Sequence, residues 1–280
     1  VTTVANPKGG SGGSSRVSEL GSGGARLRWD AGRAEPDGRR SAEALPVFEE
    51  LAEAVSLPHE AVHLAALTAD SDLAEEFRVL RSKVRAIGEE RPFRCIGTVS
   101  SAPGEGKTTV SLGLATALAQ EREDRRVVLV EADLRKRSMA RYLGLEPNAG
   151  LSEWLQDDAT VPVPLRRLGA RGPFLLTAGM SNHPSPEVLA SGRVARLLEA
   201  CRRCFDYVVV DCPPLVPVAD SVLLQDLLDG FLLVVRARHA PRQAVLRALS
   251  HLKDERIQGV VFNDYDELLR RAYSYAQRKY

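Results

Sequence analysis

Residues 98 to 109 read Thr-Val-Ser-Ser-Ala-Pro-Gly-Glu-Gly-Lys-Thr-Thr, where an apolar run ends and a helical pattern (Val110, Leu112, Leu114, Leu118) begins. A strand, a glycine-rich turn and a helix in that order make a phosphate cradle. Backbone N–H groups face the anion, Lys107 adds a point charge and Thr108 offers a hydroxyl to Mg²⁺. Pro103, Gly104, Glu105, Gly106, Lys107, Thr108 and Thr109 are the expected nucleotide contacts. Ser101 stands where such loops usually carry their first glycine, a change that is tolerated if its backbone avoids the left-handed region. Two other apolar runs end in carboxylates. Residues 127–130 lead into Glu131-Ala132-Asp133, two acids on one side of an extended segment. Residues 208–210 lead into Asp211 and a pair of prolines that stop the strand. Thr108, Asp133 and Asp211 together form the oxygen-rich set that suits Mg²⁺.

Those residues need a scaffold that brings three strand ends together. From residue 94 onward strand-like runs (94–100, 126–132, 173–177, 206–211, 230–237 and 258–263) alternate with helical patterns (108–121, 187–204, 219–228 and 242–253). The strand runs are continuously apolar rather than alternating, as expected of a parallel sheet covered on both faces. The fold class read from this is α/β: a doubly wound, mostly parallel P-loop NTPase domain, its ligand at the carboxyl ends of the strands. Residues 1–42, rich in Gly, Ser and Arg without periodicity, read as disordered. Residues 43–90 read as helical, 91–264 as the nucleotide-binding domain and 265–280 as a tyrosine-containing tail.

Other motifs carry less. His59-Glu60-Ala61-Val62-His63 spells a zinc-protease sequence, but Pro58 starts that helix and leaves the pair in an exposed first turn. Cys201 and Cys204 form a C-x-x-C without a second pair, and read as buried thiols. The glycine run at 7–15 has Gly13 where a deviant phosphate loop carries its second lysine, and too few residues precede it for a supporting strand. A formal net charge of +1 provides no basic field for nucleic acid, and no nucleic-acid partner is expected. No apolar run reaches the roughly 18 residues that span a bilayer. The N-terminus has no apolar signal-peptide core. A cytoplasmic protein, recruited to the membrane face by a partner, is the expectation.

Three motifs in this order, Ser-Ala-Pro-Gly-Glu-Gly-Lys-Thr-Thr, Val-Leu-Val-Glu-Ala-Asp-Leu-Arg and Val-Val-Val-Asp-Cys-Pro-Pro, resemble Walker A, A′ and B of the bacterial tyrosine kinases of polysaccharide export, relatives of the MinD/ParA ATPases. Glu75, Arg78 and Arg81 are similar to that family's E-x-x-R-x-x-R element, which joins subunits in a ring. Residues 184–191 are similar to its N-P-x-E-L-L-x-S segment. Tyr273, Tyr275 and Tyr280 lie where the family carries its phosphoacceptor tyrosines, and Arg270, Arg271, Arg278 and Lys279 make that tail basic. The resemblance covers residues 70 to 280. It implies an ATP- and Mg²⁺-dependent autokinase that works as a homo-oligomeric ring beside a membrane polysaccharide co-polymerase or activator.

By the same resemblance Lys107, Glu131, Asp133 and Asp211 are the catalytic set, with Glu131 orienting or deprotonating the incoming tyrosine, and Asn263 meets adenine. The chain departs from the family in carrying Glu131 where aspartate is usual, and its tail has few tyrosines. The competing readings are a MinD/ParA-like ATPase switch, whose signature lysine is missing at Ala102 and Pro103, and an ATP-binding regulator without phosphotransfer.

Overall fold

Val127-Val128-Leu129-Val130 shows why the sheet forms. The β-branched valines favour extended backbone, and alternate residues project to opposite faces. In the computed structural model of the chain all four are buried. Leu129 joins a core with Val209, Leu232 and Val261, while Val128 and Val130 join a second core with Val208, Val210 and Leu233. Both faces of the sheet are therefore covered, as the unbroken apolar runs require. The structure describes residues 3–4, 53–55, 71–156, 163–181, 192–216 and 220–264.

The strands are β1 (Thr3–Val4), β2 (Glu53–Val55), β3 (Cys95–Ser100), β4 (Val127–Glu131), β5 (Arg166–Leu168), β6 (Phe174–Leu176), β7 (Tyr207–Asp211), β8 (Gly230–Arg236) and β9 (Ile257–Asn263). Their order across the sheet is β1-β9-β8-β3-β7-β4-β6-β5-β2. The six strands from β9 to β6 run parallel. Strand β5 pairs antiparallel with β6, and β1 antiparallel with β9. The helices are α1 (Asp72–Glu90), α2 (Lys107–Ala119), α3 (Met139–Tyr142), α4 (Leu151–Gln156), α5 (Gly192–Cys204), α6 (Asp220–Leu224) and α7 (Arg242–Leu249).

Helix α1 begins where Ser71 accepts the N–H of Ala74 at 3.1 Å, satisfying one orphan donor of the first turn. It buries Phe77, Leu80, Val84 and Ile87 at helical spacing. Phe77 lies so close to α2 that a Cβ on Gly113 would come within 2.3 Å of its ring. Cys201 and Cys204 are free, buried thiols, and burial pushes the Cys201 thiol well above its ordinary pKa. They are core residues, as their position on α5 suggests.

Two segments differ from the sequence expectation. Thr3–Val4, inside the stretch read as disordered, pairs with Val260 and Val261 at one sheet edge. Glu53–Val55, inside the stretch read as helical, forms a strand parallel to β5. Such short strands borrow order from the edge they join, which no local periodicity reveals. The two histidines at 59 and 63, the glycine run at 7–15 and residues 184–191 lie outside the described residues.

Candidate active site

The phosphate loop joins β3 to α2. Gly104 (φ 86°) and Gly106 (φ 92°) adopt positive φ, which only glycine does without strain, whereas Ser101 does not. That explains why serine is accepted at its position. Its hydroxyl donates to Glu105 Oε2 at 2.7 Å, and the Ala102 N–H donates to the same oxygen at 2.7 Å. The Arg236 N–H approaches Glu105 Oε1 at 3.4 Å. The Glu105 side chain is fully buried and holds the loop from within. Glu105 was expected as a nucleotide contact; its carboxylate is turned into the protein, so only its main chain faces that role.

The ends of β8 and β9 back this loop. Pro103 O accepts from His239 Nε2 at 3.0 Å, which fixes that ring's tautomer, and Gly104 O lies 3.5 Å from Arg236 Nη1. Asn263 Nδ2 donates to Glu105 O at 2.9 Å, and a Cβ on Gly106 would fall 2.0 Å from that nitrogen. The residue expected to read adenine thus has its amide donor engaged on the phosphate loop.

Lys107 is the first residue of α2 and only 4% exposed, not a solvent-facing side chain. Next to it, Thr108 Oγ1 donates to Asp211 Oδ2 at 2.7 Å, and Ser111 Oγ lies 3.2 Å from Asp211 Oδ1. Burial pushes the Asp211 carboxyl up to about 6, against the opposing pull of Lys107 and the Thr108 hydroxyl. Thr109 Oγ1 is engaged with Tyr142 Oη at 3.1 Å. Parallel pairing places Asp211 beside Thr98 on one side and Glu131 on the other.

Glu131 is 1% exposed, and its oxygens accept the Met139 N–H at 2.8 Å and the Ala178 N–H at 2.9 Å. Burial pushes it up to about 7, although those N–H groups and the Asp211 charge also act on it. The carboxylate expected to serve an incoming hydroxyl thus accepts one main-chain N–H on each oxygen in this structure. Asp133, just past the strand, accepts the Lys136 N–H at 3.0 Å through Oδ1.

Thr108, Asp133 and Asp211 suit Mg²⁺, which takes one or two carboxylates, a hydroxyl, water and substrate phosphates rather than an all-protein cage. Among the described residues no group of three or more His, Cys, Asp or Glu side chains gathers as a metal site. The Thr108–Asp211 hydrogen bond marks where these ligands already converge.

Of the expected oligomerisation triad, Glu75 and Arg78 form an exposed ion pair at 2.8 Å. Arg81 instead donates to Ala117 O at 3.0 Å, a carbonyl in the last turn of α2. It ties two helices of one chain together and does not share the exposed face. Tyr273, Tyr275 and Tyr280 lie outside the described residues. Sequence reasoning missed Ser111, Ser138 and His239. Ser111 was legible as the residue one helical turn beyond Lys107, whereas nothing local marks the other two. Ser138 Oγ lies 3.3 Å from Thr108 Oγ1.

Residues 96–278 match the CobQ/CobB/MinD/ParA nucleotide-binding domain profile. The succinoglycan biosynthesis transport protein ExoP of Rhizobium meliloti is 34% identical over 202 residues, 70% of this chain and 25% of that protein. The tyrosine-protein kinase YwqD of Bacillus subtilis is 28% identical over 193 residues, covering 68% of this chain and 80% of that protein. The kinase domain of the Escherichia coli tyrosine kinase ETK superposes with a TM-score of 0.63 at 27% identity, covering 72% of this chain and 81% of that domain. The chain spans about a quarter of the length of ExoP and of the tyrosine-protein kinase ptk of Acinetobacter johnsonii. Among the described residues no helix is long and apolar enough to cross a membrane.

Proposed function

We propose that this chain, which belongs to the CobQ/CobB/MinD/ParA family of nucleotide-binding domains, is an ATP-dependent protein-tyrosine kinase of exopolysaccharide or capsule production. The observation that carries the reading is the convergence of Lys107, Thr108 and Asp211 on one sheet edge with Asp133 beside them. The likeness to YwqD and to the ETK kinase domain supports it. In this reading a tyrosyl oxygen forms a bond to the γ-phosphorus, the bond to the β-bridging oxygen breaks, and ADP leaves. The phenolic proton, from a group with pKa near 10, passes to a carboxylate of the A′ motif.

Phosphoryl transfer asks the protein mainly for positioning and charge. The loop N–H groups and the Lys107 ammonium hold the β and γ phosphates. Thr108, Asp133 and Asp211 would hold Mg²⁺, which when bound offsets the negative charge of those phosphates. Tyr273, Tyr275 and Tyr280 are the proposed acceptors, modified in trans within a homo-oligomer. Three phosphates at roughly −1.5 to −2 each would reverse the charge of the basic tail. A membrane-bound polysaccharide co-polymerase or activator is the proposed partner that recruits the chain from the cytoplasm.

Purified protein incubated with Mg-ATP, with and without such an activator, and probed for phosphotyrosine beside Lys107→Met tests this. Signal in the wild type alone supports the kinase. ATP hydrolysis with nucleotide-dependent dimerisation and no phosphotyrosine under any condition would replace it with the ATPase-switch reading.

A further inference from the structure

Two loops reach the metal corner from β4 and β6, and Glu131 holds both. Its Oε1 accepts the N–H of Met139, at the end of the turn formed by residues 133–139. Its Oε2 accepts the N–H of Ala178, directly after β6, 47 residues away in sequence. The turn is tightly built: Arg137 N–H donates to Asp133 O at 3.0 Å, and the Lys136 N–H reaches the Asp133 carboxylate. Arg137 sits at φ 45°, a left-handed conformation that a residue with a Cβ keeps only when its surroundings enforce it.

The enforcing contacts are visible on both sides. Arg137 Nη1 donates to Met180 O at 2.7 Å, and Glu153 Oε1 accepts the N–H groups of Met180 and Ser181 at 2.8 and 2.6 Å. Glu131 is thus the member of this network that grips both loops at once. What it sets is the position of Ser138, whose Oγ rests 3.3 Å from the Thr108 hydroxyl, and of Asp133 at the head of the turn.

We propose that Glu131 is a positioning residue: by clamping the main chain at Met139 and Ala178 it presents Ser138 and Asp133 to the Mg-nucleotide corner. The clamp does not rest on the kinase reading. The extra methylene of glutamate is what lets one carboxylate reach two loops. Aspartate at this position retains the charge but not the span. Glutamine keeps the length but turns an N–H₂ toward a main-chain N–H, so one of the two grips is lost.

The test compares the wild-type chain with Glu131→Gln, Glu131→Asp and Ser138→Ala. Each is titrated with a fluorescent ATP analogue in Mg²⁺ and in EDTA, with amide exchange followed at Met139 and Ala178. Removing groups that orient metal ligands commonly costs about 10- to 100-fold in metal affinity. Both Glu131 variants should therefore bind Mg-nucleotide about 10-fold more weakly, keep wild-type affinity in EDTA and exchange faster at both amides. Ser138→Ala should reproduce part of the Mg²⁺-dependent loss with the amides still protected.

In the phosphotransfer arm, Glu131→Asp should not rescue turnover over Glu131→Gln. A Glu131→Gln protein with wild-type Mg-nucleotide affinity and amide protection but no phosphotransfer would overturn the proposal and make Glu131 the base. So would Glu131→Asp matching the wild type in every measurement. Should Glu131→Gln not fold, Glu131→Asp and Ser138→Ala decide. If the wild type transfers no phosphate, the kinase reading fails, while the affinity and exchange measurements still decide the clamp.

Discussion

Two buried glutamates flank the phosphate site and work at different ranges. The Glu105 carboxylate accepts from Ser101 and Ala102, four and three residues away, and outside its own loop from the Arg236 N–H. Glu131 accepts nothing from its own strand and joins segments 8 and 47 residues distant. The first fixes the shape of a loop; the second fixes the relation between loops. The phosphate cradle is shaped from within and backed by the ends of β8 and β9, whereas the metal side of the site is held by a carboxylate that joins two separate loops.

The largest test of that contrast removes what both frame. Lys107→Ala should lower phosphotransfer by about 10²- to 10³-fold, measured as phosphotyrosine formed per unit time, because the charge stabilising the transferred group is gone. Near-normal transfer by the folded variant would take the phosphate loop out of the chemistry.

Glu105→Ala leaves three donors without their acceptor, and at about 1 kcal/mol each should cost roughly 3 kcal/mol in chemical denaturation. It should also weaken nucleotide binding equally in Mg²⁺ and in EDTA. A loss confined to Mg²⁺ would break the comparison, since that signature belongs to Glu131.

pH sharpens it further. Burial raises Glu131 to about 7 and Asp211 to about 6, so in the ligand-free protein both favour the folded state most below their ordinary pKa values. That contribution is lost as pH climbs through about 7, because buried carboxylates must then ionise. Glu153 works in the opposite sense at lower pH: burial raises it, but the N–H groups of Gly150 and Met180 hold it below its ordinary value. The stability difference between wild type and Glu131→Gln should change by about 1–3 kcal/mol between pH 5 and 7.5, in favour of the variant as pH rises. A constant difference would show that Glu131 is already ionised in the folded protein at pH 5.

The smallest effects fall on α1. Arg81→Ala loses one hydrogen bond to Ala117 O and should cost about 1 kcal/mol in thermal unfolding. Glu75→Ala with Arg78→Ala breaks only an exposed pair worth less than about 1 kcal/mol. If that face joins subunits, the double variant alone should shift mass in light scattering, while Arg81→Ala should not.

The central strands were legible because burial on both faces writes them as unbroken apolar runs, and their ends named Lys107, Asp133 and Asp211. Strand β5 was not, since Arg166-Arg167-Leu168 is short and charged and exists through its antiparallel partner. Arg81 shows the limit of helical spacing: three residues at i, i+3 and i+6 share a side, yet only the fold says which one meets a neighbouring helix. Glu105 and Glu131 were read as site residues from their motifs. The orientation of Glu131 is decided by donors on two other segments, and that of Glu105 by its own loop together with the Arg236 N–H, which the motif alone does not encode.

Strand β9 ends at the phosphate loop. Asn263 donates to Glu105 O, and Asp264 pairs with Arg236 at 2.7 Å. Tyr273 follows Asp264 by nine residues, a tether of roughly 30 Å at full extension. In the kinase reading Tyr273 is thus tethered to the rim of a nucleotide site, and a tether of that length raises its effective concentration there. Whether a tyrosine is modified then turns on whose active site lies within that radius, so the arrangement of neighbouring subunits sets the rate more than any affinity for free tyrosine.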